Sequence, residues 1–596
     1  MNEQRQMEIQ KALIGWAVEA LGRWAEEGYL PVGTPGIAVK WLSNYGLLLS
    51  QDWSPDGGRG GQLCSIFSLI RPRPQEDEKM GTVDVPARPL SLEALVSSEE
   101  VAPADLWAGF VGEFGRLPEG DGRFETFTHL FRKYAWAVPC TYGEAGISLY
   151  EEFKALAALV YASDGAEKPD GKFLLVGGDI PGIQGFVYTI TSKGAAKGLR
   201  GRSFFLQLLG DAVVRRLMAD LELCSCNVVY AAGGNFLLLA PASSEAALEE
   251  WQKGFNRDLL DEFEGDLNLA LAWEELSQPA VGTSEFADVR EQLGKKVAAA
   301  KSRRFAEVVE EDGWAALFRP QGQGGLENHC QICQREPRPG EKLLKEETEA
   351  GEVVSKCEQC HGFEELARAI ARDRLWMIVT EANETIRSEK GWQGTLARLT
   401  GFAYHFQHEP SQVSEPGMAY VLNPKHPEES RACCFRFVAN VTPHVGRADR
   451  RWVSEHHPDL DVLPGERIKD FTLMALQSEG ITRVGVLRMD VDNLGAVFGQ
   501  YLRGSMAQTS ALSAALELFF AGHLNRICRD VAAQGRYDNT LYVIYAGGDD
   551  LFVVGAWDRM PLLAERVRGD FSAYTGHNPH LTLSGGVTLE GRKFPL

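Results

Sequence analysis

Residues 484–496 read VGVLRMDVDNLGA, and residues 542–555 read YVIYAGGDDLFVVG. The first is an apolar strand that ends in Asp490 and Asp492, two residues apart and so on one face. The second is two apolar runs around a Gly-Gly-Asp-Asp turn, a hairpin signal. Working outward, residues 173–186 (FLLVGGDIPGIQGF) resemble the first stretch, and residues 228–240 (VVYAAGGNFLLLA) resemble the second. The offsets nearly agree: Asp490 lies 311 residues after Asp179, and Gly547 lies 314 after Gly233. Two segments that match at nearly one offset predict two copies of one α+β unit, each strand, helix, then hairpin.

The acids define a candidate site. Neighbouring strands lie about 5 Å apart, which brings Asp490 close to Asp549. Uncompensated carboxylates at that distance repel, and a hard divalent cation removes the penalty. Such a site activates a hydroxyl and neutralises charge on a phosphate during in-line displacement. Gly547 and Gly548 are expected to permit positive φ and to leave room for a triphosphate or base. In the earlier copy the turn reads Gly233-Gly234-Asn235, and Asn235 is a weaker Mg²⁺ ligand than a carboxylate. The alternative is an ordinary hairpin whose aspartates merely fill turn positions.

Composition narrows the class. The chain has 596 residues, 61 Lys+Arg against 82 Asp+Glu, a net charge of −21, 44% hydrophobic and 24% charged residues. This is an ordinary globular composition for several domains, and it argues against a simple basic DNA-coating protein. No run approaches a membrane span and the polar start is not of signal-peptide type, so a cytoplasmic protein without membrane association is expected. Among eleven cysteines, Cys330-x2-Cys333 and Cys357-x2-Cys360 predict a closed, structural Zn²⁺ site, with His329 and His361 as flanking alternatives. Cys224, Cys226, Cys433 and Cys434 read as buried small residues. Residues 1–165 read as mostly helical, interrupted by the surface loop RPRPQEDEKMGTVDVPARP, and helical patterns resume after the cysteines. The segment SKGAAKGLRGR offers Lys193, Lys197, Arg200 and Arg202 near a helix start, a place suited to triphosphate or RNA backbone.

MDVDNLG together with AGGDD resembles the palm domain of GGDEF-type and class III nucleotide cyclases. More specifically, GDIPGIQGFVYTITSKGAAKGLRGRSFFLQLL resembles the large subunit of type III CRISPR effector complexes, subtype III-A. The resemblance runs from about Lys172 to the end. It implies an α+β multidomain chain: two ferredoxin-like, cyclase-like palms, a helical N-terminal domain and a zinc-bearing helical linker domain. The expected divisions are 1–165, a degenerate HD-like helical domain; 170–317, a non-catalytic first palm; 318–365, the four-cysteine zinc insert; 366–478, a helical linker; and 479–596, the second palm. By the same resemblance, the GGDD palm polymerises ATP into cyclic oligoadenylate when target RNA binds. Asp490, Asp549 and Asp550 become catalytic, with Asp490, Asp549 and the Val491 carbonyl on Mg²⁺ or Mn²⁺. Gly547, Gly548, Asn493, Gly233, Gly234, Asn235, Lys197 and Arg200 become nucleotide-binding, and Asp492 structural or nucleotide-facing. Implied partners are crRNA, target RNA, the subunit that grips the crRNA 5′ handle and a small helical subunit.

Two departures from the family pattern matter. The first 165 residues hold one histidine, His129, and no His-Asp dipeptide, so the family's HD DNase activity is expected to be absent. Where relatives read SLYDH this chain reads SLYEEF, and Glu151 and Glu152 are expected on a solvated helix face. The chain also stops 46 residues after Asp550, where the family continues with a helix and a helical domain, as a truncated, split or short member would. The alternatives are a catalytically silent scaffold of the same complex and a stand-alone GGDEF-like cyclase that uses GTP.

Overall fold

The computed structural model of the chain describes residues 3–27, 45, 62–72, 83–142, 144–166, 171–188, 195–318, 329–337, 341–347, 353–372, 375–409, 417–458 and 468–591. The repeat takes the form of two antiparallel four-stranded sheets. The first runs Val228–Ala232, Asn235–Pro241, Lys172–Asp179, Ala270–Ser277. The second runs Leu541–Gly547, Asp550–Ala556, Val484–Val491, Leu583–Glu590. The strand order is the same in both. Each has one irregular step in its outer hairpin strand, between Val228 and Tyr230 and between Val543 and Tyr545.

The unbroken apolar runs follow from burial on both faces. Phe173 and Leu175 pack against the N-terminal helices, while Leu174 and Val176 pack on the opposite side. Leu237 and Leu239 alternate with Phe236 and Leu238 in the same way. A strand with two covered faces has no polar side to alternate with. The second sheet repeats the arrangement, with Leu551 and Val553 in one core and Phe552 and Val554 in another.

Four longer helices, Glu3–Glu27, Pro103–Phe114, Arg123–Ala135 and Leu149–Ala162, form the N-terminal region. Ser148 caps the last of them by accepting the Glu151 N–H at 3.2 Å, a cap worth about 1 kcal/mol. The expected solvated face is not found: Glu151 and Glu152 are 5% and 4% exposed. The reason is packing, since nearly every residue of this helix is covered by other elements. Glu152 accepts from the Thr141 N–H at 2.6 Å and from its hydroxyl. Burial pushes its carboxyl up to about 7 despite those bonds. A raised acid favours the protonated folded state, so its stability cost grows as pH climbs from the unfolded value, near 4.3, to about 7 and is constant above. Glu152→Gln keeps the shape and one acceptor for the Thr141 N–H, while the hydroxyl can accept from the new amide. Thermal unfolding at pH 8 is expected to show a gain of up to about 3 kcal/mol, vanishing at pH 4.

The linker differs from expectation. Residues 366–478 are not purely helical: they hold a four-stranded sheet in the order Phe402–Gln407, Leu375–Glu381, Gly417–Leu422, Cys434–Arg436, the last pair parallel. LWMIVTE, FAYHFQ and GMAYVL are strands of six or seven residues, too short to be told from buried helix by periodicity. Met377, Tyr404 and Tyr420 join the core beneath the helix Ala195–Asp220.

The cysteine region adds a ribbon, Leu344–Glu347 paired with Val353–Lys356, and the helix Glu358–Ile370. That helix crosses Ala195–Asp220 closely at Gly201. A Cβ there would lie 1.8 Å from the Phe363 carbonyl oxygen, and backbone cannot swing aside. Gly201→Ala is therefore expected to cost about 3 kcal/mol, read as a lowered urea midpoint. The sequence loop RPRPQEDEKMGTVDVPARP lies partly outside the described residues, as does Lys193.

Candidate functional site: two unequal hairpins

In the second sheet Asp490 stands opposite Asp550, and the Val491 N–H donates to the Asp549 carbonyl at 3.0 Å. Asp490 is the cross-strand partner of Asp550, and its carboxyl also shares a hydrogen bond with that of Asp549, so the three acids gather at the hairpin. Asp490 is exposed; Asp549 and Asp550 are half-buried. Burial and then the neighbouring Asp490 charge push the Asp549 carboxyl up to about 6. Burial, with added repulsion from Asp549 and Asp490, pushes Asp550 up to about 7 even though the Tyr545 hydroxyl donates to it. Asp490, although the most exposed of the three, is raised too, by partial loss of its water shell and by Asp492. Asp492 accepts from the Thr582 hydroxyl and so is braced by protein. Asn493 starts the following helical turn in the left-handed region, φ 55°. Of the two hairpin glycines only Gly548 has positive φ, 70°. Gly547 contributes room instead: a Cβ there would meet nothing within 4 Å, and the space stays open to a ligand.

The first sheet handles its acid differently. Asp179 stands opposite Asn235 and accepts from the Asn235 amide at 3.1 Å. Lys301 forms an ion pair with the same carboxyl. Its charge is already met, whereas the three acids of the second hairpin repel one another, with Arg488 offsetting Asp550 only in part.

The two hairpins are not equivalent residue for residue as the Gly-Gly pairs suggest. Asp179 faces Asn235 as Asp490 faces Asp550. The Ile180 N–H donates to Gly234 O at 3.0 Å, just as Val491 donates to Asp549. Asn235 therefore occupies the place of Asp550, and Gly234 that of Asp549. The first hairpin lacks the Asp549 carboxylate altogether, a stronger deficit than an amide for an acid.

Both hairpins border one cavity of about 500 Å³, lined by Gly233, Gly234 and Asn235 from one and Gly547, Gly548 and Asp550 from the other. Asp490 and Asp549 are not among its lining residues; of this pair Asp490 is exposed and Asp549 half-buried. The palms are held face to face by Arg488, whose guanidinium lies 4.3 Å over the Tyr188 ring and 4.9 Å over Phe552. Lys301, Arg488, Tyr188 and Tyr545 carry no motif, and sequence reading passed over them.

Arg200 is no nucleotide ligand on this geometry. It is fully buried, donating to Ile544 O at 2.9 Å, Ala439 O at 2.9 Å and Asn440 Oδ1 at 3.3 Å. It pins the first palm's helix to the second palm. A glycine-flanked arginine at a helix start looks the same in sequence whether it faces solvent or core. Arg202 is buried as well. Lys197 is half-buried in the first turn of Ala195–Asp220.

Cys330, Cys333, Cys357 and Cys360 converge: one sulfur from each lies within 4.8 Å of the others, and all four residues are buried. Hydrogen bonds among the sulfurs pull the Cys330 thiol far below its ordinary range and push Cys357 far above it. A cation would let all four be thiolates at once, which suits zinc. His361 instead pairs with Glu346 at 2.6 Å. Arg202 reaches the Cys360 sulfur at 3.2 Å while stacked on Phe186 and Phe363.

Residues 172–320 match the family model for the Csm1 subunit domain B, and residues 483–596 match that for the Cas10/Cmr2 second palm domain. A protein of Methanocaldococcus jannaschii named CRISPR system single-strand-specific deoxyribonuclease Cas10/Csm1 (subtype III-A) is 26% identical over 585 residues, which span 85% of this chain and 70% of that protein. The Thermococcus onnurineus protein of the same name is 30% identical over 505 residues, 80% of this chain and 60% of that one. Together these matches support a type III-A large subunit of the Cas10/Csm1 kind. It spans between 60% and 70% of the length of these two Cas10/Csm1 relatives. Among solved structures, a Csm1-Csm4 cassette in complex with one ATP has a TM-score of 0.65 at 25% identity, covering 93% of this chain and 68% of that one. The cassette in complex with cA3 gives 0.64 at 25%, with the same coverage. Among the described residues no helix is long and apolar enough to cross a membrane.

Proposed function

We propose that the chain is the nucleotidyl-transferring large subunit of a type III-A interference complex, joining ATP into cyclic oligoadenylate when target RNA binds. The observation that carries this reading is the inequality of two facing hairpins. One gathers Asp490, Asp549 and Asp550 with charge to spare; the other has its single acid satisfied by Lys301 and Asn235. One palm transfers and its partner holds. ATP and cA3 in the similar cassettes support the choice of adenine.

The chain's own residues then do the following. Asp490 and Asp549, with the Val491 carbonyl, present oxygens for Mg²⁺ or Mn²⁺, which supplies charge neutralisation and hydroxyl activation when bound. Asp550, hydrogen-bonded to Tyr545, keeps the hairpin's charge in place. Open space at Gly547 and the backbone at Gly233 and Gly234 admit triphosphates, one ATP on each hairpin, with Asn235 and Asn493 at their edges; Lys197 lies thirteen residues along its helix from Gly210, the residue that meets Gly234, and is too far to take part. The 3′-hydroxyl of one ATP attacks the α-phosphate of the other, and pyrophosphate leaves. Zn²⁺ held by Cys330, Cys333, Cys357 and Cys360 has no position open for water and is structural.

The domain divisions 1–165, 170–317, 318–365, 366–478 and 479–596 belong to the same reading, as do a cytoplasmic location and crRNA, target RNA, the crRNA 5′ handle-binding subunit and the small helical subunit as partners. So does the absence of HD nuclease activity. His129 is packed between Tyr420 and Phe435, with ring centroids at 5.5 and 5.6 Å, and is an unsuitable seed for a metal site.

Incubating the assembled complex with ATP, Mg²⁺ and matching target RNA, followed by mass spectrometry, is the test. RNA-dependent oligoadenylate is expected. No product from an intact complex would leave a scaffold, and product from GTP without RNA would point to a stand-alone cyclase.

A further inference from the structure

We propose that the N-terminal helical domain clamps the two palms in catalytic register, with Lys154 as the positioning residue. The inference rests on the nucleotidyl-transfer reading above and assigns that domain a role other than DNA cleavage. Lys154 sits on the helix Leu149–Ala162, and its ammonium donates to Val229 O at 3.2 Å and to Ser510 Oγ at 2.7 Å. Val229 belongs to the first palm's outer strand, which leads directly into Gly233 and Gly234. Ser510 belongs to the second palm's helix Met506–Glu517. One cation therefore bridges all three bodies, and Lys154, Val229 and Ser510 all line the cavity shared by the hairpins.

A second tie fixes the same helix. Arg132, on Arg123–Ala135, pairs with Glu517 at 3.3 Å. Ser510 and Glu517 are seven residues apart, two helical turns, and so lie on one face. Two grips two turns apart hold an axis in orientation as well as in place. Beyond Glu517 the helix passes into a π-helical segment, Leu518–His523, an irregularity that rigid packing must support.

The chemical consequence follows from geometry. Transfer between two nucleotides held by different palms requires the hydroxyl and the phosphorus to be aligned, and a misplacement of about 1 Å can cost around a hundredfold. Losing the bridge should leave each palm able to bind its own nucleotide. Lys154→Met is thus expected to lower kcat by ten- to a hundredfold while leaving KM for ATP within about twofold. Lys154→Arg, which keeps the cation and its donors, is expected to restore most of the rate.

The experiment measures kcat and KM for RNA-activated complexes carrying wild-type, Lys154→Met or Lys154→Arg chain. Amide hydrogen exchange is followed in parallel across Val228–Ala232 and Met506–Glu517. Faster exchange in both segments of Lys154→Met, reversed in Lys154→Arg, together with the selective kcat loss, supports the clamp. Unchanged kcat and exchange in Lys154→Met overturns it. So does an equal loss in both variants with raised KM and a lowered melting midpoint, the pattern of a residue that only holds the fold. If wild-type complex makes no product, the nucleotidyl-transfer reading fails. Exchange then decides the clamp alone: faster in Lys154→Met supports the bridge, unchanged removes it.

Discussion

Asp549→Asn is expected to lower oligoadenylate synthesis at least a hundredfold while making the metal-free protein more stable. The two effects have one cause. Burial and the Asp490 charge hold the Asp549 carboxyl up at about 6, so ionising it at neutral pH opposes folding. The raised value means the protonated form is favoured in the folded state. The cost is absent below the unfolded value, near 3.9, and accumulates as pH rises to about 6. For a half-buried group, solvent screening leaves an expected gain of about 1–2 kcal/mol on substitution, measured at pH 8 with EDTA. Adding Mg²⁺ should raise the wild-type midpoint and leave Asp549→Asn nearly unmoved. Asp490→Asn should behave alike. A residue that merely filled a turn would move stability and activity in the same direction, and that outcome would remove the proposed metal site. The first palm supplies a control: Asn235→Asp places a carboxylate at the counterpart of Asp550, not of Asp549, and should not create a second active hairpin.

The second large effect concerns Cys357. Its sulfur lies 3.8 Å from that of Cys333, and the Cys360 N–H donates to it at 3.4 Å where it caps the helix Glu358–Ile370. Removing one of four ligands from a structural zinc site sacrifices much of a binding free energy of order 10 kcal/mol. That exceeds the margin of many domains. Cys357→Ser is expected to yield chain without zinc by elemental analysis, mostly insoluble, with the soluble remainder melting far below wild type. The damage should reach the first palm, because Arg202 loses its anionic neighbour at Cys360 and the Gly201 crossing loses its partner helix. Wild-type chain free of zinc, with Cys357→Ser soluble and melting as wild type does, would show that the sulfurs are packing groups only.

Much of this was legible in the sequence, and the reasons can be named. The paired apolar strands, the hairpins and the CxxC spacing are local features whose chemistry travels with them. The unequal acids of the two copies were visible as well. What failed was whatever depended on distant packing. Arg200 looked like a phosphate ligand because nothing local says that Ile544 and Ala439 cover it. Glu151 and Glu152 looked solvated because helical spacing does not report what lies beyond the helix. The Gly-Gly pairs invited an alignment that the ladder shifts by one residue, since only cross-strand partners fix register. Lys301 meets Asp179 across the fold, and no spacing rule connects them.

Arg200 also bears on how the chain can be dissected. Its guanidinium donates through both Nη atoms to carbonyls of Ile544 and Ala439, hundreds of residues downstream, and the apolar side chains around it come from both palms and from the sheet between them. A fragment ending before residue 439 would carry a bare arginine and an oily surface where its neighbours belong. Expression of the first palm by itself should therefore give aggregates, whereas co-producing the missing half as a separate polypeptide should rescue it, much as complementing halves of a split reporter find each other.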